Sequence, residues 1–334
     1  MSHRRPPTLA DRYMRQVLAL NPDMERLPEG QHDMDEPCVA LVTTTCLMRS
    51  GNLARATDRE SVAKLTTTGA MASPDMVSMY SRWRYAKHVY RFDRELSTAL
   101  SRTRLPEDMG LDILHRLPYP IVYVDAPIRL GDGSEGDGKG GFFAWFDRRP
   151  EVGPAGEVVD TRDVVCVRRV VPAGDAVVSL RMDLDMGCDT FGEMVDSVMG
   201  EGLPLGRDDF SALASALINH LLYIISDGAD QEVVYRPGGG GRRRGRATAE
   251  STIHDVGTRV GRALGEARVR YVASPGGVGT PKRTHVRAGH WQHYWVGRKS
   301  EPESRRVVLR WIDPLVVNPG GAPDGGTVVH DATG

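Results

Sequence analysis

Apolar residues recur at helical spacing near the start of the chain. Leu9, Tyr13, Val17 and Leu20 follow Pro6-Pro7-Thr8, which reads as a helix start with one apolar face. A polar stretch rich in Asp and Glu, Asn21 to Glu36, separates it from Ala54 to Lys64 and Pro74 to Leu100, which carry mostly helix-forming residues. The pattern predicts a mainly helical first hundred residues, with Tyr80, Trp83, Tyr85, Tyr90 and Phe92 as half-buried aromatic surface. After Leu117-Pro118-Tyr119-Pro120 the character changes. Ile121 to Val124, Phe142 to Phe146, Val164 to Val171 and Val177 to Met186 are short β-rich runs bounded by Gly and Pro, and they predict an antiparallel sheet with hairpins. Phe210 to Ile225 is apolar except for a stripe of Ser211, Ser215 and Asn219, which predicts a core helix behind that sheet. Val233-Val234-Tyr235 would close the sheet as its last strand.

The chain beyond Pro237 is different in kind. Gly238 to Gly241 and Arg242 to Arg246 form a basic Gly/Arg linker with nothing to pack. Thr248 to Ala267 reads as a helix, Arg268 to Ala273 as a strand, and His285 to Val296 and Arg306 to Ile312 as two further strands. The last residues, Pro319 to Gly334, are rich in Gly, Pro and Asp and are expected to be disordered. The fold class read from this pattern is α+β. It comprises a helical N-terminal part (1–112), a central antiparallel sheet with helices (113–236), the linker (237–247), a basic C-terminal unit built on a β-hairpin (248–318) and a tail (319–334).

Composition narrows the class. The 334 residues are 40% hydrophobic and 26% charged, which excludes a disordered or collagen-like chain. Cys38, Cys46, Cys166 and Cys188 form no CxxC pair and follow no apolar leader, so they are expected to be reduced thiols in a cytoplasmic protein. The Phe210 to Ile225 run is too short and too polar to span a membrane. The net charge of −1 hides an asymmetry: from Pro237 to Ile312 sixteen basic residues face five acidic ones, +11, which leaves −12 on the rest. A basic C-terminal part on an acidic body fits nucleic acid or an acidic protein surface.

The chemistry-bearing stretch is Thr284 to Arg298. If it is one strand, His285, Arg287, Trp291, His293 and Trp295 share a face, and His290 and Tyr294 share the other. In the partner strand Arg306 and Arg310 alternate with Val307, Leu309 and Trp311, so that the arginines are expected beside the Trp/His row. Cations among flat rings are what single-stranded RNA or DNA binding uses, through phosphate contacts and base stacking. An aromatic ladder under an ordinary solvated face, or a protein-binding face, would need the same residues. His285, His290 and His293 lack zinc-like spacing, and no metal or cofactor is expected. Asp183 and Asp185 fall on one sheet face, as a divalent-metal nuclease would want, although a solvated strand end is the plainer reading. No GxxxxGK[ST], GxSxG or HExxH motif is present, and nothing specifies an enzyme.

The run His285 to Arg298 followed by Arg305 to Asn318 resembles a family signature, H-x-R-x-x-H-W-x-x-x-W/R-x-G and then a basic strand ending in W-I/L-x-P-x-x-V-N. The family is carried on phages, plasmids and bacterial chromosomes, and it includes the type V-A anti-CRISPR that blocks biosynthesis of the type V-A CRISPR nuclease. Further pieces stand in family order upstream: Leu105-Pro106-Glu107, Leu117 to Val124, His220 to Ser226 and Val256 to Gly261. The resemblance implies an inhibitor acting on a CRISPR nuclease's messenger RNA or nascent chain. RNA or the translating ribosome would be its partner, and a host nuclease a further one. The expected contact residues are His285, Arg287, His290, Trp291, His293, Trp295, Arg298, Arg306, Arg310 and Trp311. Two alternatives stay open at this point, a metal-dependent ribonuclease and a protein-interaction module of a mobile element.

Overall fold

A computed structural model describes residues 7–26, 73–128, 140–152, 158–173, 176–200, 205–236, 251–273, 285–287, 289–296, 306–312, 315–317 and 329–330. Ala54 to Lys64, the Gly131 loop, the Gly/Arg linker and its surroundings (237–250), Arg298, Cys38 and Cys46 lie outside those residues. Helix α1, Leu9–Leu20, starts at Thr8, whose hydroxyl accepts from the Asp11 amide while the Asp11 carboxylate accepts from the Thr8 amide. Helix α2, Pro74–Trp83, has proline at its first position, where the missing N–H costs nothing. Then come β1 (His88–Phe92), α3 (Arg94–Arg102, capped by Asp93), β2 (Ile121–Asp125), β3 (Gly141–Val152), β4 (Val158–Ala173) and β5 (Ala176–Asp185). They are followed by α4 (Phe191–Gly200), α5 (Arg207–Ile225), β6 (Gln231–Tyr235), β7 (Thr252–Val256) and α6 (Thr258–Ala273).

The strands form one seven-stranded sheet in the order β5-β4-β3-β2-β1-β7-β6. Because side chains alternate across a strand, each strand feeds two cores. Tyr90, Phe92, Val122, Val124, Phe142, Ala144, Val165 and Val167 pack under α3, α4 and α5. Val89, Ile121, Tyr123, Phe143, Trp145, Val164 and Cys166 pack under α1 and α2. Arg168 faces this second core at 1% exposure and is ion-paired with Asp75 of α2, also 1% exposed. Its guanidinium donates to Ser179 Oγ at 2.9 Å, and Ser179 in turn meets the Tyr13 hydroxyl of α1 at 2.8 Å. Burial opposes the Asp75 charge, but Arg168 and Arg181 outweigh it and hold that carboxyl below the usual range.

The α+β class holds, with differences in detail. The sheet is mixed: β1 is parallel to both β2 and β7, and the remaining pairs are antiparallel. β1 lies inside the stretch read as helical, and β7 comes from the C-terminal unit, so the sheet draws on all three stretches. Val233 to Tyr235 do close one edge, as expected. Arg268 to Ala273 continue α6 as helix instead of forming a strand. Helix α6 starts at Gly257, whose φ of +78° suits glycine, and Gly261 leaves room for the Asp93 carboxylate where a Cβ would collide. The C-terminal strands are β8 (His285–Arg287), β9 (His290–Val296), β10 (Arg306–Ile312), β11 (Leu315–Val317) and β12 (Val329–His330). Within the stretch read as a tail, β12 pairs in parallel with β8.

Candidate nucleic-acid interface

β9 and β10 form the expected antiparallel hairpin, with Trp311 opposite Trp291, Arg310 opposite Gln292 and Leu309 opposite His293. That register decides the faces. Leu309 is 2% exposed, and the Trp291 and Trp311 rings, 5.2 Å apart and inclined at 59°, pack on the core beneath α5. Trp291 Nε1–H donates to Asn219 Oδ1 at 2.7 Å, and the Asn219 amide donates to the Leu100 and Thr103 carbonyls at 2.9 and 2.7 Å. Thr103 Oγ1 reaches the Gly289 carbonyl at 3.3 Å, at the entry to β9. A fully buried amide thus joins the end of α3, the middle of α5 and the hairpin, with its hydrogen-bonding capacity met.

The other face is polar and solvated. Arg310 and Gln292 are exposed and Tyr294 is half-buried. The Arg310 guanidinium lies 5.9 Å from the Tyr294 ring centre, and the Tyr294 hydroxyl donates to Gln292 Oε1 at 2.8 Å. The arginine at 310 therefore does not stand beside the tryptophan row, which is a correction. Pairing puts Val307, Leu309 and Trp311 opposite Trp295, His293 and Trp291, and Arg306 opposite Val296. His285 and Arg287 are not in this hairpin at all. They belong to β8, which pairs with β11 and β12 in a separate sheet, because the strand breaks before His290. His290 opens β9 half-buried, with its Nδ1 buried and unpartnered.

The other candidates resolve as structural contacts. Asp183 takes a bidentate contact from Arg181, and Asp185 accepts from Arg162 at 3.1 Å, from Ser197 Oγ at 3.4 Å and from the Gly187 amide at 2.9 Å. Both carboxylates are thereby occupied. No three His, Cys, Asp or Glu side chains converge as a metal ion would need among the described residues. His220 Nδ1–H donates to the Ala216 carbonyl at 2.6 Å, so its Nε2 accepts from Ser97 Oγ at 2.9 Å. Burial lowers its pKa to about 4. One feature gave no sequence signal: His88 Nδ1 and His254 Nε2 lie 2.9 Å apart, although 166 residues separate them in the chain.

Similarity to known proteins agrees with the signature. The AcrVA2-like family, described as the anti-CRISPR type V subtype A2 family, matches residues 90–319. The fold is similar to that in a structure titled "Crystal structure of AcrVA2", with a TM-score of 0.55 and 19% identity over 93% of this chain and 94% of that one. No curated protein matches the chain.

Proposed function

The chain belongs to the AcrVA2-like family of type V subtype A2 anti-CRISPR proteins, and on that premise we propose that it lowers expression of a type V-A CRISPR nuclease by acting on the nuclease's messenger RNA or nascent chain. The carrying observation is the outer face of the hairpin, where Arg310 and Gln292 are exposed around Tyr294 on a unit pinned to the core through Trp291 and Asn219. A cation held over a ring is ready to meet a phosphate and a base, and a fixed strand pair holds both at constant spacing. Trp291 and Trp311 serve this reading by anchoring the hairpin, and Arg310 and Tyr294 by making contact. Loss of the message would then fall to a host nuclease recruited to the target.

Cells producing the nuclease, with and without this protein, test the proposal by transcript and protein levels read together. Both should fall, and the paired variant Arg310→Ala with Tyr294→Ala should restore them while the variant accumulates normally. Unchanged nuclease message and protein in the presence of the wild type would refute it.

A further inference from the structure

A second gathering of cations and rings stands on one rim of the sheet. β1, β2 and β7 run parallel and β6 runs antiparallel to β7, so the first ends of those three strands and the last end of β6 share an edge. Arg84, Tyr85, Lys87, His88, Tyr119 and Arg236 stand along it. The Arg84 guanidinium lies 5.7 Å from the Tyr80 ring and 5.9 Å from the Tyr85 ring, and Tyr85 is 42% exposed. The His88 ring stacks on Tyr119 at 3.4 Å.

These groups sense one another. Burial first, then His254 and Arg236, lowers the His88 pKa to about 4, and burial and Arg236 lower that of His254. The imidazoles are therefore neutral near pH 7, and the positive charge rests on Arg84, Lys87 and Arg236. Of the nearby acids, Asp11 is held by Thr8 and Ser251, and Glu25 lies beside Tyr80. In the sequence, the connection that leaves β6 at this rim and returns to β7 carries Arg242, Arg243, Arg244 and Arg246.

We infer that this rim is a second contact surface for single-stranded nucleic acid, separate from the hairpin. Arginine and lysine supply phosphate contacts, while Tyr85, His88 and Tyr119 supply flat faces for bases. An acidic peptide would use the charge and leave the rings without a role. The inference does not depend on the hairpin reading, since the two surfaces share no residue.

The test is fluorescence anisotropy of the full chain with a labelled oligouridylate of roughly 16 nucleotides across a salt series. Arg84→Ala with Arg236→Ala should weaken binding about tenfold and flatten the salt slope by about 0.7 for each phosphate no longer neutralised. Tyr85→Ala should weaken binding and Tyr85→Trp should keep it. The hairpin pair Arg310→Ala with Tyr294→Ala should leave a rim-dependent component, so failure of one surface is distinguishable from failure of the other. If the double variant does not fold, Arg236→Glu alone should show the same direction. Absence of binding by the wild type overturns the inference, as does binding by well-folded rim variants with wild-type affinity and slope. Oligoglutamate bound as tightly as RNA and released in the same variants would overturn it in favour of an acidic protein partner.

Discussion

Trp291 and Asn219 are 72 residues apart in the chain, yet their 2.7 Å hydrogen bond decides which face of the hairpin meets the core. Trp291→Phe keeps most of the ring but strands the buried Asn219 oxygen, and should cost about 1–3 kcal/mol in urea unfolding. Trp291→Ala also leaves a cavity and should cost about 3–5 kcal/mol. An affinity defect with unchanged stability would instead make the ring a stacking surface. His220 gives the pH dependence. Its folded pKa, about 4 against an ordinary 6.5, lies below that of the unfolded chain. Between those values the unfolded chain binds a proton that the folded chain does not, so stability is full above pH 6.5 and is lost as pH falls towards 4. The share from His220 is on the order of 3 kcal/mol. Thermal unfolding across that window checks it: His220→Gln should melt earlier at neutral pH but lose less on acidification.

Helix α2 and strand β4 meet through the Asp75–Arg168 pair, both side chains 1% exposed. Asp75→Ala strands the guanidinium and should cost about 3–5 kcal/mol in denaturant unfolding, whereas adding Arg168→Met should restore most of that stability. A double variant no more stable than the single would show that Arg168 is not the reason. At this scale the sequence was readable where one element's own pattern settles it. Helix α5 was legible because Ser215 and Asn219 form a stripe in an apolar run, and that stripe contacts the Leu105 amide and the end of α3. β1 was not, because five residues of strand sit between helix formers and owe their conformation to pairing with β2 and β7. Val269 and Val272 make Arg268 to Ala273 look like strand, but the preceding turns of α6 carry the helix through them. The hairpin was legible as two strands. Its facing was not, since register depends on which residues the core accepts, and the core took Leu309 and both tryptophans.

The whole molecule is a sheet between two helical layers, with a basic C-terminal unit on a body of opposite sign. The family match begins at residue 90, yet α1 and α2 lie before it and close one entire core. A chain lacking them would expose Tyr123, Phe143 and Trp145 and leave Arg168 unpaired. Such a truncation should show no cooperative melt, and a two-state melt near that of the full chain would contradict this. No helix among the described residues is long and apolar enough to cross a membrane. The central proposal is tested most directly by capturing the tagged protein from cells translating a type V-A nuclease, then sequencing the bound RNA and identifying the bound protein in one sample. Enrichment of the nuclease transcript, with or without ribosomal components, that disappears in the Arg310→Ala/Tyr294→Ala variant is the expected result. A capture containing neither that transcript nor its nascent product would contradict it.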